Sequence, residues 1–117
     1  MVSRINQGDL FWIFSDEVSP DCPHPYLVVQ EDVFNHSRIS TVVVCALTSN
    51  LRRVREPGNV LLDPGEGQLP KQSVVVVSQI ASVPKAALGE RIGSLSSKRV
   101  AEVIAGLRFQ QRAFFRV

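Results

Sequence analysis

The chain has 117 residues, 44% of them apolar and 21% charged, the size and composition of one soluble globular domain, 1–117, with its own core; a disordered chain is excluded. The strongest apolar run, Val42 to Leu47, is far too short to cross a bilayer, and Asn6-Gln7-Gly8-Asp9 stand where a secretory signal needs apolar residues, so a cytoplasmic location is expected. Residues 1–47 carry two basic against six acidic side chains and residues 48–117 eleven against five, an asymmetry that suits an anionic partner and suits a plain solvated surface at least as well.

Leu10-Phe11-Trp12-Ile13-Phe14 reads as a first strand, being short, aromatic and bounded by turn residues. Residues 15–25 follow as an acidic loop in which Pro20, Pro23 and Pro25 impose extended backbone and forbid a helix. Tyr26 to Gln30 is a second strand, and Glu31 to Ser37 a helical turn or irregular loop. Ile39 to Leu47 is the most strand-like stretch, and its near-continuous apolarity places it centrally in a sheet. A polar turn from Asn50 to Gly58 carries Arg52, Arg53 and Arg55. Asn59 to Leu62 and Ser73 to Ile80 are further strands with a loop at Asp63 to Gly67 between them; Val83 to Ala87 forms a turn, and Arg91 to Leu95 a last strand.

Ser96 then serves as an N-cap, and Val100, Val103, Ile104 and Leu107 fall at helical spacing on one apolar face. That helix is expected to end between Gln110 and Arg116. Five to seven short strands with turn residues between them, then one C-terminal helix, imply a mostly β fold: a small barrel or a strongly coiled antiparallel sheet. Cys22 and Cys45 have no CxxC partner or clustered histidines, so no zinc site is expected. Two free thiols are favoured over a single disulfide, with Cys45 acting as a small core residue.

Several segments, in order, resemble the MazF/PemK/Kid toxins of bacterial toxin–antitoxin pairs. They are Gln7-Gly8-Asp9-Leu10-Phe11-Trp12, His24-Pro25-Tyr26-Leu27-Val28-Val29-Gln30 with Asp32-Val33-Phe34-Asn35, and Leu47-Thr48-Ser49. Leu69-Pro70-Lys71-Gln72-Ser73-Val74-Val75, Gln79-Ile80 and Leu88 to Ser96 complete the pattern over residues 7–107. The resemblance implies an SH3-like barrel, a homodimer, and cleavage of single-stranded RNA without metal or other cofactor. It also implies an antitoxin partner whose flexible acidic tail covers the RNA groove.

Metal-free RNA cleavage can use the substrate's 2′-hydroxyl as nucleophile; the enzyme removes its proton, stabilises charge on phosphorus and helps the 5′-oxygen leave. By resemblance, an Arg before the second-strand Pro and the Thr or Ser ending the third strand do this work. Thr48 and Ser49 are present, but His24 stands where the family has the arginine. Three readings of His24 are open: an acid or base near neutral pH, a weakened phosphate ligand, or an exposed loop residue in a protein with another role. Arg52, Arg53 and Arg55 are candidate phosphate contacts beside Thr48, or a solvated loop; Gln79 is a candidate RNA contact by resemblance alone. Trp12 or Phe11 can stack on a base, though packing inward or against a partner is the more ordinary use.

Other features depart from the family pattern. Ser78 and Ala81 replace an acidic residue and an arginine around Gln79, and Asp16, Glu17 and Asp21 make the first loop acidic. These changes motivate an alternative, a catalytically altered or inactive protein on the same fold that binds RNA or an antitoxin. A gyrase-poisoning toxin on a similar barrel ranks last. Phe109, Phe114 and Phe115 either cover a dimer seam or belong to a frayed tail.

Overall fold

The computed structural model describes residues 4–15 and 19–112; Asp16, Glu17, Phe114 and Phe115 lie outside them. Among the described residues six strands form one antiparallel sheet: β1 (Asp9–Ser15), β2 (Ser19–Val28), β3 (Thr41–Thr48), β4 (Val60–Leu61), β5 (Val74–Pro84) and β6 (Arg91–Ser94). Their order across the sheet is β4-β5-β3-β2-β1-β6, and the sheet curls into a half-barrel. A short helix α1 (Asp32–Asn35) lies between β2 and β3, and the long helix α2 (Ser97–Gln110) follows β6.

β3 lies between β5 and β2, as its composition predicts, and it is apolar on both faces. Val42 and Val44 pack with Ile5, Phe11, Ile13 and Val28 on one side. Cys45 and Leu47 pack with Leu10, Leu27, Val75, Val103 and Leu107 on the other, under α2. The alternation of a strand's side chains explains the split. The apolar stripe of α2 meets this second face, and Ser96 caps the helix as expected, its hydroxyl accepting the Arg99 N–H at 3.2 Å.

Three polar side chains of the 29–41 corner, those of Gln30, Asp32 and Asn35, hold the chain together there. The Asn35 amide donates to the Gln30 carbonyl at 2.8 Å, and the Gln30 amide donates back to Asn35 Oδ1 at 2.9 Å. Asp32 accepts the Gln7 N–H at 2.6 Å. That bond first, and the Asn35 amide next, hold the Asp32 carboxyl below the usual carboxylate range. In the same way buried Asp9 accepts the Asn6 N–H at 3.0 Å and pairs with Arg91 at 3.3 Å, tying β1 to β6.

The largest departure from the sequence-based expectation is β2. It begins at Ser19, so the proline-rich stretch assigned to a loop is strand, pairing with β1 as far as Phe14↔Pro23 and Ser15↔Ser19. The physical reason lies in which way each amide points. Val28 accepts from Gly8 next to β1, whereas Val29 donates to Val43 of the β3 side. Successive residues of a strand bond to opposite neighbours, so even-numbered residues of β2 bond towards β1 and odd-numbered ones towards β3. Pro23 and Pro25 therefore leave the β1 ladder intact and remove donors on the β3 side.

β5 also runs further than expected, to Pro84, and β4 is shorter, two residues. Between the pairs Cys45↔Ile80 and Leu47↔Val75, β5 carries more residues than β3, which makes a bulge at Val76 to Gln79. The freed Val76 carbonyl accepts the Cys45 thiol at 3.0 Å, and Asn59 Oδ1 accepts the Val77 N–H at 3.1 Å. The Asn50–Gly58 turn contains a 3-10 helix, Leu51–Arg55.

α2 approaches the sheet at Gly106, where an added Cβ would strike the Gly58 carbonyl oxygen; Gly58 itself has φ +83°. Gly106→Ala is expected to destabilise the fold by about 1–3 kcal/mol, read as a lower urea midpoint at unchanged slope. A second anchor is Arg99, which donates to Glu66 at 2.8 Å, Glu102 at 3.0 Å and Asp63 at 3.4 Å. Burial pushes the Glu66 carboxyl up, but the Arg99 bond and the Asp63 N–H outweigh it and hold the group below its ordinary 4.5. A depressed acid stabilises the native state above that value and loses the contribution as pH falls through the lower native one. The stability deficit of Arg99→Met is therefore expected to be largest near neutrality and to shrink below about pH 4.5 in urea melts at stepped pH.

Candidate active site

The β2–β3 ladder runs through Val28↔Val44, Leu27↔Cys45 and Tyr26↔Ala46, and ends where Pro25 has no N–H to offer β3. Continued by two residues, the same register would set His24 across from Thr48. Past the last pair the sheet opens into a cleft of about 360 Å³. β1 contributes Trp12, β2 contributes Cys22 to Pro25, the end of β3 contributes Leu47 and Thr48 with Ser49 beyond it, and the β4–β5 connection contributes Leu69, Pro70, Lys71 and Ser73.

Each wall is fixed by an identifiable contact. Trp12 is held through its backbone, its N–H donating to the Glu90 carbonyl at 3.0 Å and its carbonyl accepting the Gly89 N–H at 2.7 Å. Gly89 fits there because a Cβ would lie 2.6 Å from the Trp12 oxygen. Thr48 Oγ1 accepts the Asn50 N–H at 3.1 Å, which leaves its O–H to donate elsewhere. His24 Nε2 is buried and has no hydrogen-bond partner among the described residues. Leaving such a nitrogen unpaired costs on the order of 1–3 kcal/mol, which makes His24 a lining side chain with hydrogen-bonding capacity unused among the described residues.

Of the residues singled out in the sequence, the structure brings His24, Thr48 and Ser49 together in the cleft. Arg52, Arg53, Arg55 and Gln79 do not line it. Arg52 and Arg55 are exposed on the 3-10 turn after Thr48, and Gln79 is exposed at the β5 bulge. Arg53 is occupied: its guanidinium donates to both Glu56 carboxylate oxygens, at 2.9 and 3.0 Å. That bond raises the Arg53 pKa and lowers that of Glu56. Ser78 and Ala81 are exposed along β5. Among the described residues no three His, Cys, Asp or Glu side chains gather in one place.

Lys71 also lines the cleft, and the sequence pattern had assigned it no role. Its signal was present within Leu69-Pro70-Lys71-Gln72-Ser73, but only the folded connection carries it to the cleft. The thiols also separate as expected: Cys22 is exposed and free, Cys45 buried and free, with burial pushing the Cys45 thiol up to about 12.

A curled antiparallel sheet packed against one long helix, with a histidine, a threonine, a serine and a lysine lining a single cleft, defines a small half-barrel protein. The model of the PemK-like, MazF-like toxin of type II toxin–antitoxin systems matches residues 6–110. Endoribonuclease MazF2 of Mycobacterium bovis is 36% identical over 107 residues, covering 89% of this chain and 94% of that protein. Endoribonuclease MazF of Staphylococcus saprophyticus is 32% identical over 79 residues, covering 68% and 65%. Among solved structures, a mycobacterial endoribonuclease in complex with its cognate antitoxin superposes with TM-score 0.75 at 20% identity, covering 90% of this chain and 92% of that one. MazF of Deinococcus radiodurans gives TM-score 0.75 at 19% identity, covering 95% and 99%. The chain belongs to the PemK-like, MazF-like toxin family.

The contrast between the two thiols sets an expectation. In the native protein one thiol equivalent, Cys22, reacts promptly with an aromatic disulfide reagent at pH 8. Cys45 reacts only after denaturation, so a native count of two would contradict the burial.

Proposed function

We propose that this protein is a toxin-type endoribonuclease that cleaves single-stranded RNA at the Pro25 end of the β2–β3 ladder. The observation that carries the reading is the cleft itself: His24, with an imidazole nitrogen that has no partner among the described residues, and Thr48, with a hydroxyl proton left to donate, line the same opening at the unzipped end of the sheet. Family membership and relatives named endoribonucleases support it.

In this reading His24 Nε2 accepts the proton of the substrate 2′-hydroxyl. The 2′-oxygen forms a bond to phosphorus as the bond to the 5′-oxygen breaks, leaving a 2′,3′-cyclic phosphate and a 5′-hydroxyl. Attack is in line, so the departing oxygen lies on the far side from His24 and takes its proton from water. The imidazolium then releases its own proton and neutralises the hydroxide. The Thr48 O–H donates to a non-bridging oxygen, and Ser49 lies next to it for the same phosphate or its neighbour. Trp12 offers a face for a base, a contact worth about 1–3 kcal/mol where it forms. Arg52, Arg55 and Gln79 act as outlying contacts to the strand, giving salt-sensitive affinity.

Antitoxin complexes are known for relatives of the same fold. A protein antitoxin with a flexible acidic tail, competing with RNA for the cleft, is the corresponding partner here, and a homodimer in the cytoplasm is the corresponding state. The test is incubation of purified, antitoxin-free protein with long single-stranded RNA in EDTA, followed by mapping of the ends. Cleavage with 5′-hydroxyl ends is expected, falling about 10²–10⁴-fold in His24→Ala and about 10²-fold in Thr48→Ala. Binding of RNA without cleavage across pH 5–9 would transfer the assignment to a non-catalytic binding protein.

A further inference from the structure

The reaction above raises the negative charge on the phosphate at the transition state, and a protein site compensates this with positive charge or donors aimed at the non-bridging oxygens. Among the described residues that line the cleft, Lys71 is the one with a permanent charge. Four other cations are already engaged: Arg53 by Glu56, Arg91 by Asp9, Arg99 by three carboxylates, and Lys85 by the carbonyls of Asn35 and Ser37; Arg52 and Arg55 are exposed but do not line the cleft. The Lys71 ammonium makes no hydrogen bond or ion pair among the described residues.

Its backbone, by contrast, is firmly placed. Buried Ser73 donates its hydroxyl to the Lys71 carbonyl at 2.9 Å, and the Gln72 amide donates to the Leu62 carbonyl at 2.9 Å. Leu69 is buried on the other side, so both flanks of the segment are anchored while the lysine side chain stays exposed. A pinned backbone under a free ammonium is an arrangement that orients charge without spending it inside the protein.

We propose that Lys71 is a catalytic residue of this cleft, its ammonium contacting a non-bridging oxygen of the scissile phosphate opposite Thr48. The inference rests on the endoribonuclease reading. Lys71 transfers no proton in the step: the 2′-oxygen to phosphorus bond forms, the bond to the 5′-oxygen breaks, and the ammonium remains an ammonium throughout.

The experiment has a kinetic and a binding arm, run on Lys71→Met, Lys71→Arg and, as a control cation outside the cleft, Lys98→Met. Single-turnover cleavage is expected to fall about 10²-fold in Lys71→Met, to recover most of that in Lys71→Arg, and to be unchanged in Lys98→Met. Binding is read with a short labelled oligodeoxynucleotide, which has no 2′-hydroxyl to react. The slope of log affinity against log salt is expected to shrink by about 0.7 in Lys71→Met, the share of one single-strand phosphate contact, and to hold in Lys98→Met. Thermal melts establish that all three variants are folded.

Wild-type cleavage that Lys71→Met leaves intact, or a loss that Lys71→Arg does not restore, overturns the proposal while the endoribonuclease reading stands. If the wild type cuts no RNA, that reading fails and the salt slope decides the contact alone. An unchanged slope in Lys71→Met, or an equal change in Lys98→Met, overturns it.

Discussion

An amide hydrogen that Pro25 does not have determines where this protein has a cleft. β2 bonds to β1 through one set of residues and to β3 through the other. Both prolines of the 23–25 stretch belong to the set facing β3, so one ladder continues while the other stops at Tyr26↔Ala46. A sheet paired on both sides of β2 would bury His24 and Thr48 in a ladder. Unzipped on one side, it presents them at an opening while β1 still holds β2 in place.

That opening would be slack without the strand beside it. Val42, Val44 and Cys45 of β3 are fully buried, and the two faces of the strand feed two different clusters. Burying side chains of this size contributes roughly 1.5–3 kcal/mol each, enough to keep β3 from sliding against its neighbours. Buried Leu69, the Ser73 hydroxyl on the Lys71 carbonyl and the Gln72 side-chain amide on the Leu62 carbonyl hold the 69–73 segment where it lines the cleft. A misplacement of about 1 Å between reacting groups is costly in catalysis, so a rigid core under an open sheet end suits the chemistry proposed.

The substitution of His24 for the arginine of the family pattern also looks different in the folded protein. Arginine would bring fixed charge and a fork of donors; imidazole brings a proton acceptor and a single nitrogen left unpaired. On the proposed mechanism the two duties are divided, proton transfer to His24 and charge compensation to Lys71. The three arginines after Thr48 drew attention in the sequence because of their clustering. Clustering along the chain does not set side-chain direction, and Arg53 turns away to Glu56.

Much of the fold was legible from local pattern. The apolarity of 42–47 marked the central strand, the spacing of Val100, Val103, Ile104 and Leu107 marked the buried face of α2, and Ser96 marked its start, because periodicity and capping are properties of neighbouring residues. The prolines before Tyr26 misled the strand boundary: composition shows that proline lacks a donor, but not whether a neighbouring strand needs one there. The sequence offered His24 and Thr48 as candidates through the family resemblance, and residue type by itself fixed what each side chain can donate or accept. Tertiary structure decided that those two share one cleft with Lys71 while Arg52, Arg53, Arg55 and Gln79 do not line it. Register, bulge and loop closure bring distant residues together, and none of the three is written in the local pattern of any one segment.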